Sequence, residues 1–275
     1  MKLTYFGTAA AEGWPGMFCH CDVCKKAKEL GGKNIRTRSQ ALVDDTLLVD
    51  FPPDSYMHML HHGLDLPSIQ HLLITHTHQD HLYLDEMLFR RKGFCSGVDQ
   101  TLTLYGSDAL GAKIDAYMKK WPGSTLADAH MAFVELTEYV PMDIAGYTVI
   151  PMLARHDRSE KCLIYLIGKG GKWILYGNDT GDFPAATWDF LKGRTLDLVS
   201  LDCTMGKLKE GTNHMGVPDL MELKQRLMDM GCISSSTQFV ATHFSHNGQL
   251  LHEELEQVLM PEGYQVAYDG FTVQL

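Results

Sequence analysis

A chain of 275 residues is long enough to bury a substantial hydrophobic core, and 45% hydrophobic with 21% charged residues is the balance of a globular protein. The formal net charge of −10 argues against broad binding to nucleic acid or to anionic membranes, which requires clustered lysine and arginine. It does not exclude an anionic substrate, because bound metal ions can reverse the local sign of the charge.

Predicted strands and helices alternate along the whole chain, which favours a mixed α/β (α+β) architecture with sheets covered by helices. Helical patterns are clearest at Asp54–His62, Ser107–Lys120, Val217–Met230 and His252–Met260. Short β-rich runs separated by turn signals predict strands at Lys2–Phe6, Gln40–Val43, Thr46–Val49, His71–Thr75, Thr101–Tyr105, Tyr147–Met152, Leu163–Ile167, Lys172–Tyr176, Leu196–Leu201, Phe239–Thr242 and Tyr264–Ala267.

The chain shows no Pro/Ser-rich linker, no short-period repeat and no low-complexity tract, so residues 1–275 are predicted to form a single domain. The segment at about 94–141 is the least regular. It is either an insertion or lid over a site, or a peripheral helical excursion.

The N-terminus, MKLTYFGTAA, runs directly into a strand-like segment and shows no signal region followed by a cleavage site. No apolar run reaches the roughly 18 residues of a membrane-spanning helix. We therefore expect a cytoplasmic protein. In that compartment, the tight grouping of Cys19, Cys21 and Cys24 favours metal binding over disulfide bonds.

The most distinctive segment reads LLITHTHQDH and ends at His81. A predicted apolar strand is followed at once by four potential metal ligands within six residues, His76, His78, Asp80 and His81. Imidazole and carboxylate groups are good ligands for zinc, manganese and iron. The end of a strand can aim such groups at one point with little conformational freedom left to lose. The segment therefore predicts a metal site.

The spacing of these ligands indicates two ions rather than one. In extended backbone, residues two apart point the same way, so His76 and His78 can face one metal. The chain must then turn, so that Asp80 and His81 can reach a second metal nearby. Histidine and aspartate suit Zn, Mn and Fe alike, so the identity of the ions stays open.

Three further polar residues come shortly after apolar runs, which is where sites collect in α/β sheets. His156 comes after VIPML, Asp179 after WILYGN and His243 after QFVAT. Each of them alone could be a structural or solvated residue. Their recurrence after predicted strands makes them candidate ligands.

These residues resemble the metallo-β-lactamase superfamily, whose T-H-x-H-x-D-H motif is found here at 75–81. His156, Asp179 and His243 follow in the family's order, so the resemblance covers nearly the whole chain. It implies a four-layer αββα sandwich with a dinuclear metal site at the edge between two central sheets. Because the superfamily is functionally broad, the fold alone does not determine the reaction.

The resemblance also implies how the ligands divide between the two ions. Asp50, which ends the run TLLV, is similar to the family's aspartate that supports the metal ligands, or is a turn or cap residue. The implied ligand sets are His76, His78 and His156 for one metal, Asp80, His81 and His243 for the other, and Asp179 as the bridge between them.

The segment from Cys19 to Cys24 is a second candidate metal site, because C-x-C-x-x-C supplies three thiolates to a tetrahedral zinc. It resembles the cluster of the PhnP branch, cyclic phosphodiesterases associated with phosphonate breakdown. There a histidine three residues after the late metal histidine completes a structural zinc, which implies His246 as the fourth ligand here. His20 is a poorer candidate because it sits between two ligands. Such a closed site would tie the N-terminal loop to the C-terminal end.

Asp202-Cys203-Thr204 followed by Asn213-His214 is the remaining informative feature. Phosphodiesterase members of the superfamily, including tRNase Z and PhnP-like enzymes, carry a non-ligand histidine in this region that assists the leaving group or the developing phosphate charge. The resemblance implies this role for His214, although a histidine before a helix can also be a capping or surface residue. Catalysis is expected to depend on His214 together with Asp80 and Asp179.

These features predict a metal-dependent phosphodiesterase that uses a metal-bridging hydroxide. The PhnP resemblance makes the expected substrate a small cyclic phosphodiester, either phosphoribosyl cyclic phosphate or a cyclic nucleotide. The expected cofactors are two divalent ions, Mn or Zn with Fe as a third option, and one structural Zn. Bidentate phosphate contacts could come from Arg36, Arg38, Arg155 or Arg158, which otherwise are solvated charges.

Three other functions share part of this pattern. A tRNase Z-type nuclease would share the dinuclear core and His214, but the acidic balance and the lack of a recognisable basic arm count against it. A lactamase- or glyoxalase-like thioester or amide hydrolase does not need the Cys-rich loop. A PqqB-like carrier shares that loop without being an enzyme. The expected partner is a small-molecule substrate, without membrane or nucleic acid, and a homodimer is left open.

Overall fold

The structure, a computed structural model, describes residues 1–275 and contains fourteen β-strands and seven α-helices. The strands are β1 Lys2–Gly7, β2 Gln40–Val43, β3 Leu47–Val49, β4 His71–Leu73, β5 Leu102–Gly106, β6 Met131–Glu135, β7 Met142–Ile144, β8 Tyr147–Leu153, β9 Leu163–Lys169, β10 Lys172–Gly177, β11 Leu198–Asp202, β12 Gln238–Thr242, β13 Tyr264–Val266 and β14 Thr272–Gln274. The helices are α1 Asp22–Leu30, α2 Ser55–His62, α3 Leu84–Met87, α4 Asp108–Met118, α5 Ala185–Leu191, α6 Val217–Asp229 and α7 His252–Leu259.

The strands form two seven-stranded sheets that share one internal plan. The first sheet has the order β14-β1-β2-β3-β4-β5-β6, and the second has the order β13-β12-β11-β10-β9-β8-β7. Strands β3 to β6 run parallel in the first sheet, and β10 to β13 run parallel in the second. The other neighbouring strands pair antiparallel. Each sheet therefore has a parallel half, whose strands all end at one edge.

Three hydrophobic clusters divide the molecule into four layers. Between the sheets lies a cluster that includes Tyr5, Tyr147 and Tyr176, all of them fully buried. A second cluster lies between the first sheet and α4, and a third lies between the second sheet and helices such as α6. The stripe Leu220, Leu223 and Leu227 of α6 faces this third cluster, as its helical spacing predicted. The predicted αββα sandwich is confirmed.

The strand sequences reflect this burial from both sides. Residues 163–168 of β9 are all buried, although they read LIYLIG without any alternation of polar and apolar residues. A strand that has a helical layer on one face and a second sheet on the other is expected to be a continuous apolar run.

Two regions show how the fold uses segments that the sequence left open or unassigned. Within 94–141, the segment raised as an insertion or lid, β5 pairs with β4, β6 pairs with β5, and α4 packs Leu110 and Ile114 into the core. Most of this segment is therefore part of the sandwich. Helix α1 went unpredicted because DVCKKAKEL is mostly polar and buries only Cys24 and Ala27. No helix combines the length and apolar character that a membrane span requires.

Candidate metal centres

Strands from both sheets end where the predicted ligands lie. Asp50 directly follows β3, Asp179 lies two residues after β10, and His243 directly follows β12. All three have left-handed backbone, with φ values of 64°, 53° and 58° respectively. This conformation is uncommon outside glycine, costs roughly 1–3 kcal/mol per residue, and clusters at functional sites. Each of these strands therefore ends in a turn, and the three turns place their side chains in the same region of the molecule.

The T-H-x-H-x-D-H segment is anchored to the first sheet by Thr75. Its backbone N–H and its hydroxyl donate hydrogen bonds to the Asp50 carboxylate, at 2.8 and 3.0 Å from Oδ1. A few residues further on the chain turns, since the amides of His81 and Leu82 both donate to the carbonyl oxygen of His78, at 3.0 and 2.8 Å. This turn carries Asp80 and His81 back towards the strand end, as the spacing predicted.

The structure brings all seven predicted dinuclear ligands together in two overlapping groups. Within each group, the potential ligand atoms lie within 4.8 Å of one another. The groups coincide with the two sets that the family resemblance implied, and they share one carboxylate. They are His76, His78, His156 and Asp179 in the first, and Asp80, His81, Asp179 and His243 in the second.

Asp179 lies at the middle of this arrangement. Its Oδ2 is 3.3 Å from Nε2 of His76, 3.0 Å from Nε2 of His81 and 3.7 Å from Nε2 of His243. Its Oδ1 is 3.3 Å from Nδ1 of His156. Burial opposes ionisation of this carboxyl, but the positive charge of His243 and other neighbouring histidines lowers its pKa well below the usual value. A shared carboxylate in this position has the geometry of a bridging ligand.

Carboxylates outside the ligand sets fix the orientation of several rings. His81 Nδ1 lies 2.7 Å from Asp50 Oδ2, and His78 Nε2 lies 2.9 Å from Asp157 Oδ2. In neutral rings these nitrogens carry the proton, so the other nitrogen presents its lone pair to the centre. Asp157 went unrecognised in the sequence, where its only signal is that it adjoins His156.

His243 is held in the same way by a different strand. Its Nδ1 lies 3.3 Å from Oδ2 of Asp202, the last residue of β11, and 2.8 Å from the Thr204 hydroxyl oxygen. Its Nε2 is left to face the centre. In the sequence, Asp202 stands out only as part of the segment around His214, and nothing there assigns it a role.

Unpartnered buried atoms show that the centre suits metal ions. Nε2 of His76, His81 and His243 is buried in each case and has no hydrogen-bond partner. A single buried polar atom without a partner costs about 1–3 kcal/mol, so several of them converging on one place need an explanation. Imidazole nitrogens and carboxylate oxygens at this spacing are the donor set of a divalent transition metal. The residues present therefore fit the implied ions.

Charge is distributed unevenly across the centre. Burial lowers the pKa of His76 well below its usual value, and the neighbouring His81 adds to this effect. Burial also opposes protonation of His81, but the carboxylates of Asp80 and Asp50 outweigh it and raise its pKa well above the usual value. Protons and metal ions compete for the same nitrogen atoms. The group that contains Asp80 and His81 therefore attracts positive charge more strongly than the surroundings of His76 do.

His214 lies beside the centre without belonging to either ligand set. Its Nδ1 is 3.0 Å from Asp179 Oδ1 and 3.2 Å from Asp202 Oδ2. Burial would lower its pKa, but the charge of Asp202 and the hydrogen bond with Asp179 raise it to about 11. The two carboxylates therefore favour the protonated form of His214 at the partly exposed edge of the centre.

The centre is partly accessible to solvent. The side chains of His78 and His214 are 40% and 26% exposed, whereas that of Asp179 is 3% exposed. Beside His78 lies a polar cleft of about 950 Å³, whose lining includes Lys113, Asp157 and Arg158. A substrate can approach the centre from this cleft.

The four arginines considered as phosphate contacts are distributed differently. Arg158 lines the cleft, and Arg155 is exposed close to His156 in the chain. Arg36 is buried and donates to the Thr8 hydroxyl and to a backbone carbonyl. Arg38 forms a salt bridge with Asp54 at 3.0 Å. The phosphate role for Arg36 and Arg38 is wrong, because their guanidinium groups are already committed within the fold.

The cysteine cluster is brought together with His246. Nδ1 of His246 lies 3.7 Å from Cys19 Sγ and 3.6 Å from Cys21 Sγ, and all four potential ligand atoms, including Cys24 Sγ, lie within 4.8 Å of one another. Gly16 permits this close packing, because an added Cβ would lie only 3.2 Å from the His246 ring. Three thiols and one imidazole at this spacing suit a closed tetrahedral zinc site.

Comparison with known proteins places the chain in a family. A family model for a β-lactamase superfamily domain matches residues 46–244. An octanoyltransferase from Porphyromonas gingivalis is 26% identical over 279 residues, which cover 98% of this chain and 51% of that protein. A ribonuclease Z from Staphylococcus aureus is 26% identical over 160 residues, which cover 57% of this chain and 46% of that protein. The chain spans about half the length of these curated relatives.

Solved structures share the fold over almost the whole chain. A diphosphatase from the PhnP family has a TM-score of 0.75 at 22% identity, covering 100% of this chain and 97% of that one. Zinc-bound PqqB from Methylobacterium extorquens has a TM-score of 0.77 at 19% identity, covering 100% of both chains. The family model spans both groups of potential ligands, from His76 to His243. The chain belongs to the metallo-β-lactamase superfamily, as the T-H-x-H-x-D-H motif predicted.

Proposed function

We propose that this chain is a dinuclear metal-dependent phosphodiesterase that hydrolyses a small cyclic phosphodiester. The observation that carries the proposal is the position of His214, a side chain outside both ligand sets whose Nδ1 lies 3.0 Å from Asp179 Oδ1. A proton donor at the edge of a metal centre suits a reaction in which an alkoxide leaves. Hydrolysis of a phosphodiester is such a reaction.

The two groups of side chains that share Asp179 would hold the two ions, Mn or Zn. When bound, such ions supply a hydroxide nucleophile near neutral pH and offset negative charge on the phosphate. The chain's own contribution is orientation, since Asp50, Asp157 and Asp202 each hold a histidine nitrogen that faces away from the centre. Rings fixed in this way lose little freedom when they bind a metal.

His214 would act on the leaving group. Its Nδ1–H is held by the carboxylates of Asp179 and Asp202, so Nε2–H is the proton available to the oxygen that leaves. Asp202 orients the ring and stabilises its positive charge from a fully buried position. After the bond to phosphorus breaks, the leaving oxygen carries this proton and His214 is neutral.

The surroundings of the centre favour a small substrate. The cleft beside His78, of about 950 Å³, falls within the size range of small-molecule sites. The net charge of −10 is unfavourable for a long RNA, whose binding depends on many phosphate contacts. The cysteine cluster with His246 supports the PhnP-like branch, and with it phosphoribosyl cyclic phosphate or a cyclic nucleotide as the substrate.

A substrate panel tests the proposal directly. The protein loaded with Mn or Zn would be assayed with bis-p-nitrophenyl phosphate, cyclic nucleotides, phosphoribosyl cyclic phosphate, a β-lactam, a thioester and a precursor tRNA. We expect turnover of the small phosphodiesters, highest for a cyclic one. Turnover confined to the β-lactam or the thioester would overturn the proposal.

His214→Ala tests the residue that carries the proposal. We expect kcat for a cyclic phosphodiester to fall by about 10²–10⁴-fold, the usual contribution of general acid catalysis, while the metal content stays unchanged. His61→Ala, at an exposed position on α2, is the control and should keep full activity. A His214→Ala protein that binds metal and retains the native rate would remove the role assigned to His214.

Two alternatives rest on particular observations. The likeness to ribonuclease Z favours a tRNase Z-type nuclease, which would cleave the precursor tRNA faster than any small substrate. The likeness to PqqB favours a carrier. Metal analysis separates the carrier from the enzyme, because one tightly held zinc alone supports the carrier, whereas two further exchangeable ions support the enzyme.

A further inference from the structure

A second cavity lies on the outer face of the first sheet, away from the metal centre. Its volume is about 230 Å³, and twelve of the fifteen residues that line it are hydrophobic. Leu48 of β3 and Leu72 of β4 belong to this lining, and their neighbours Val49 and Leu73 face the core between the sheets instead. The cavity therefore belongs to the layer between the first sheet and its helices, and does not open into the cleft beside His78.

The size and lining of this cavity point to an apolar ligand. Protein interiors contain few voids larger than a water molecule, because lost packing contacts are costly. Apolar cavities stay dry, and one of roughly 150 Å³ lined by Leu, Ile and Phe binds benzene. The present cavity is larger than that, and water would find few polar partners in it.

The otherwise largely apolar lining of this cavity includes the guanidinium group of Arg90. Arg90 lines the cavity, its Nε is buried without a hydrogen-bond partner, and its Nη2 donates to the Gln100 carbonyl at 2.8 Å. It forms no salt bridge, although Glu86 lines the same cavity. Burial lowers the pKa of Arg90 and raises that of Glu86, and the two groups form no ion pair with each other. An anion at this end of a ligand would supply the missing partner.

Aromatic side chains surround the entrance. Phe89 lines the cavity yet is 54% exposed, and its ring centroid lies 5.3 Å from that of Phe94, which is also exposed. Tyr56 of α2 is an exposed member of the same lining. Contiguous exposed apolar residues at a cavity mouth mark a ligand site more often than a bare surface.

We propose that this cavity binds a medium-chain aliphatic carboxylate, with the alkyl chain among Leu48, Leu72 and Met87 and the carboxylate on Arg90. The volume is too small for a sterol or a second protein segment. The guanidinium disfavours a cationic ligand, and a lining in which Glu86 is the only other charged group disfavours a sugar or a nucleotide. The site is independent of the phosphodiesterase proposal, since it shares no lining residue with the cleft beside His78.

Calorimetric titration of the full chain with octanoate tests the site. We expect binding in the micromolar range, with acetate not binding and octylammonium binding at least about tenfold more weakly, because the tail supplies most of the affinity and Arg90 selects the charge. Failure of octanoate to bind at millimolar concentration would overturn the proposal, as would equal binding of octylammonium.

Three variants locate the binding. Arg90→Gln should weaken octanoate binding by about tenfold and leave octanol binding unchanged, whereas Arg226→Gln, a charge loss on the exposed side of α6, should change neither. Val98→Trp should fill the cavity and abolish both. If Val98→Trp does not fold, Leu102→Phe takes its place. Native octanoate affinity in a folded, filled variant would place the ligand elsewhere and refute the assignment.

Methionine methyl NMR gives a direct readout without mutation. Met59 and Met87 line the cavity, whereas Met228 is an exposed residue of α6. Octanoate should shift the methyl resonances of Met59 and Met87 and leave that of Met228 in place. Shifts confined to methionines outside the cavity would contradict the proposed site.

Discussion

The dinuclear centre and the cysteine cluster collect their donors in different ways. In the dinuclear centre, Asp179 and His243 follow strands that are paired on both sides, and their rings and carboxylates are held by further side chains. In the cysteine cluster, Cys19 and Cys21 lie in a loop before α1, and His246 begins a single turn of 3₁₀ helix. Paired strands and supporting side chains position the donors of the first site, whereas a loop and a short helical turn bring together those of the second.

The two sites also differ in what they leave free. Three thiols and one imidazole would complete the coordination of a tetrahedral zinc and would leave no position for a substrate at the cysteine cluster. In the proposed function, the seven donors of the other centre would hold two ions that a substrate reaches from the cleft beside His78. We therefore propose catalysis at the first site and stabilisation of the fold at the second, and each role can be tested.

Asp179→Asn should have the largest effect, because it removes the carboxylate that both ligand groups share. We expect phosphodiesterase kcat to fall by at least about 10³-fold and the two exchangeable ions to be lost or reduced to one, while the closed zinc is retained. Rate assays and elemental analysis by mass spectrometry measure both. Asp189→Asn, an exposed change on α5, is the control. Retention of both exchangeable ions in Asp179→Asn would mean that the donors are not organised around this residue.

Asp157→Asn should have an intermediate effect, and it tests the role proposed for the carboxylates that orient the histidine rings. The loss of charge next to His78 Nε2 should weaken metal binding in the first ligand set by about tenfold. This is the low end of the effects expected when a residue that orients a metal ligand is replaced, because both side chains of the pair are partly exposed. Competition with a chromophoric chelator measures the affinity. Asp108→Asn changes the same cleft without touching a ligand and should leave the affinity unaltered. Equal affinities in native protein and Asp157→Asn would show that His78 needs no orienting partner.

Cys21→Ser should have the smallest effect on the dinuclear centre and the clearest effect on stability. We expect loss of the closed zinc and a fall in Tm of about 5 °C or more, with kcat of the surviving folded protein within about twofold of native. Thermal unfolding followed by circular dichroism, together with the zinc content, checks this. Cys95→Ser lies outside the cluster and should keep the zinc. A large loss of rate with an unchanged Tm would reverse the roles assigned to the two sites.

Much of the dinuclear centre can be predicted from the sequence because its signal is local. Four of its ligands lie within a single span of six residues shortly after β4, and Asp179 and His243 each come within two residues of another strand. Apolar runs of strand length predict those strands, and helical spacing predicts α6. Ligand type, ligand spacing and strand ends are therefore all evident from neighbouring residues alone.

Side chains whose partners are distant in the chain are much harder to assign from the sequence. Arg36 and Arg38 are as suitable for phosphate as Arg158 by residue type, yet only Arg158 lies in the cleft. Asp157 contacts His78 across 79 positions of sequence, and nothing near it in the chain indicates that contact. The outer cavity likewise leaves no signal in the sequence, because its lining comes from strands, helices and a loop that pack together only in the folded chain.

The amino-acid order alone favoured a mixed α/β architecture and established the donor types, because periodicity, turn residues and ligand chemistry act over a few neighbouring positions, whereas the αββα layering was implied by the family resemblance. Tertiary packing decided which carboxylate supports which histidine, which arginine is free and where an unfilled volume remains. Those outcomes depend on the distance and orientation of groups that the chain separates by tens of residues, and only the closed sandwich sets them.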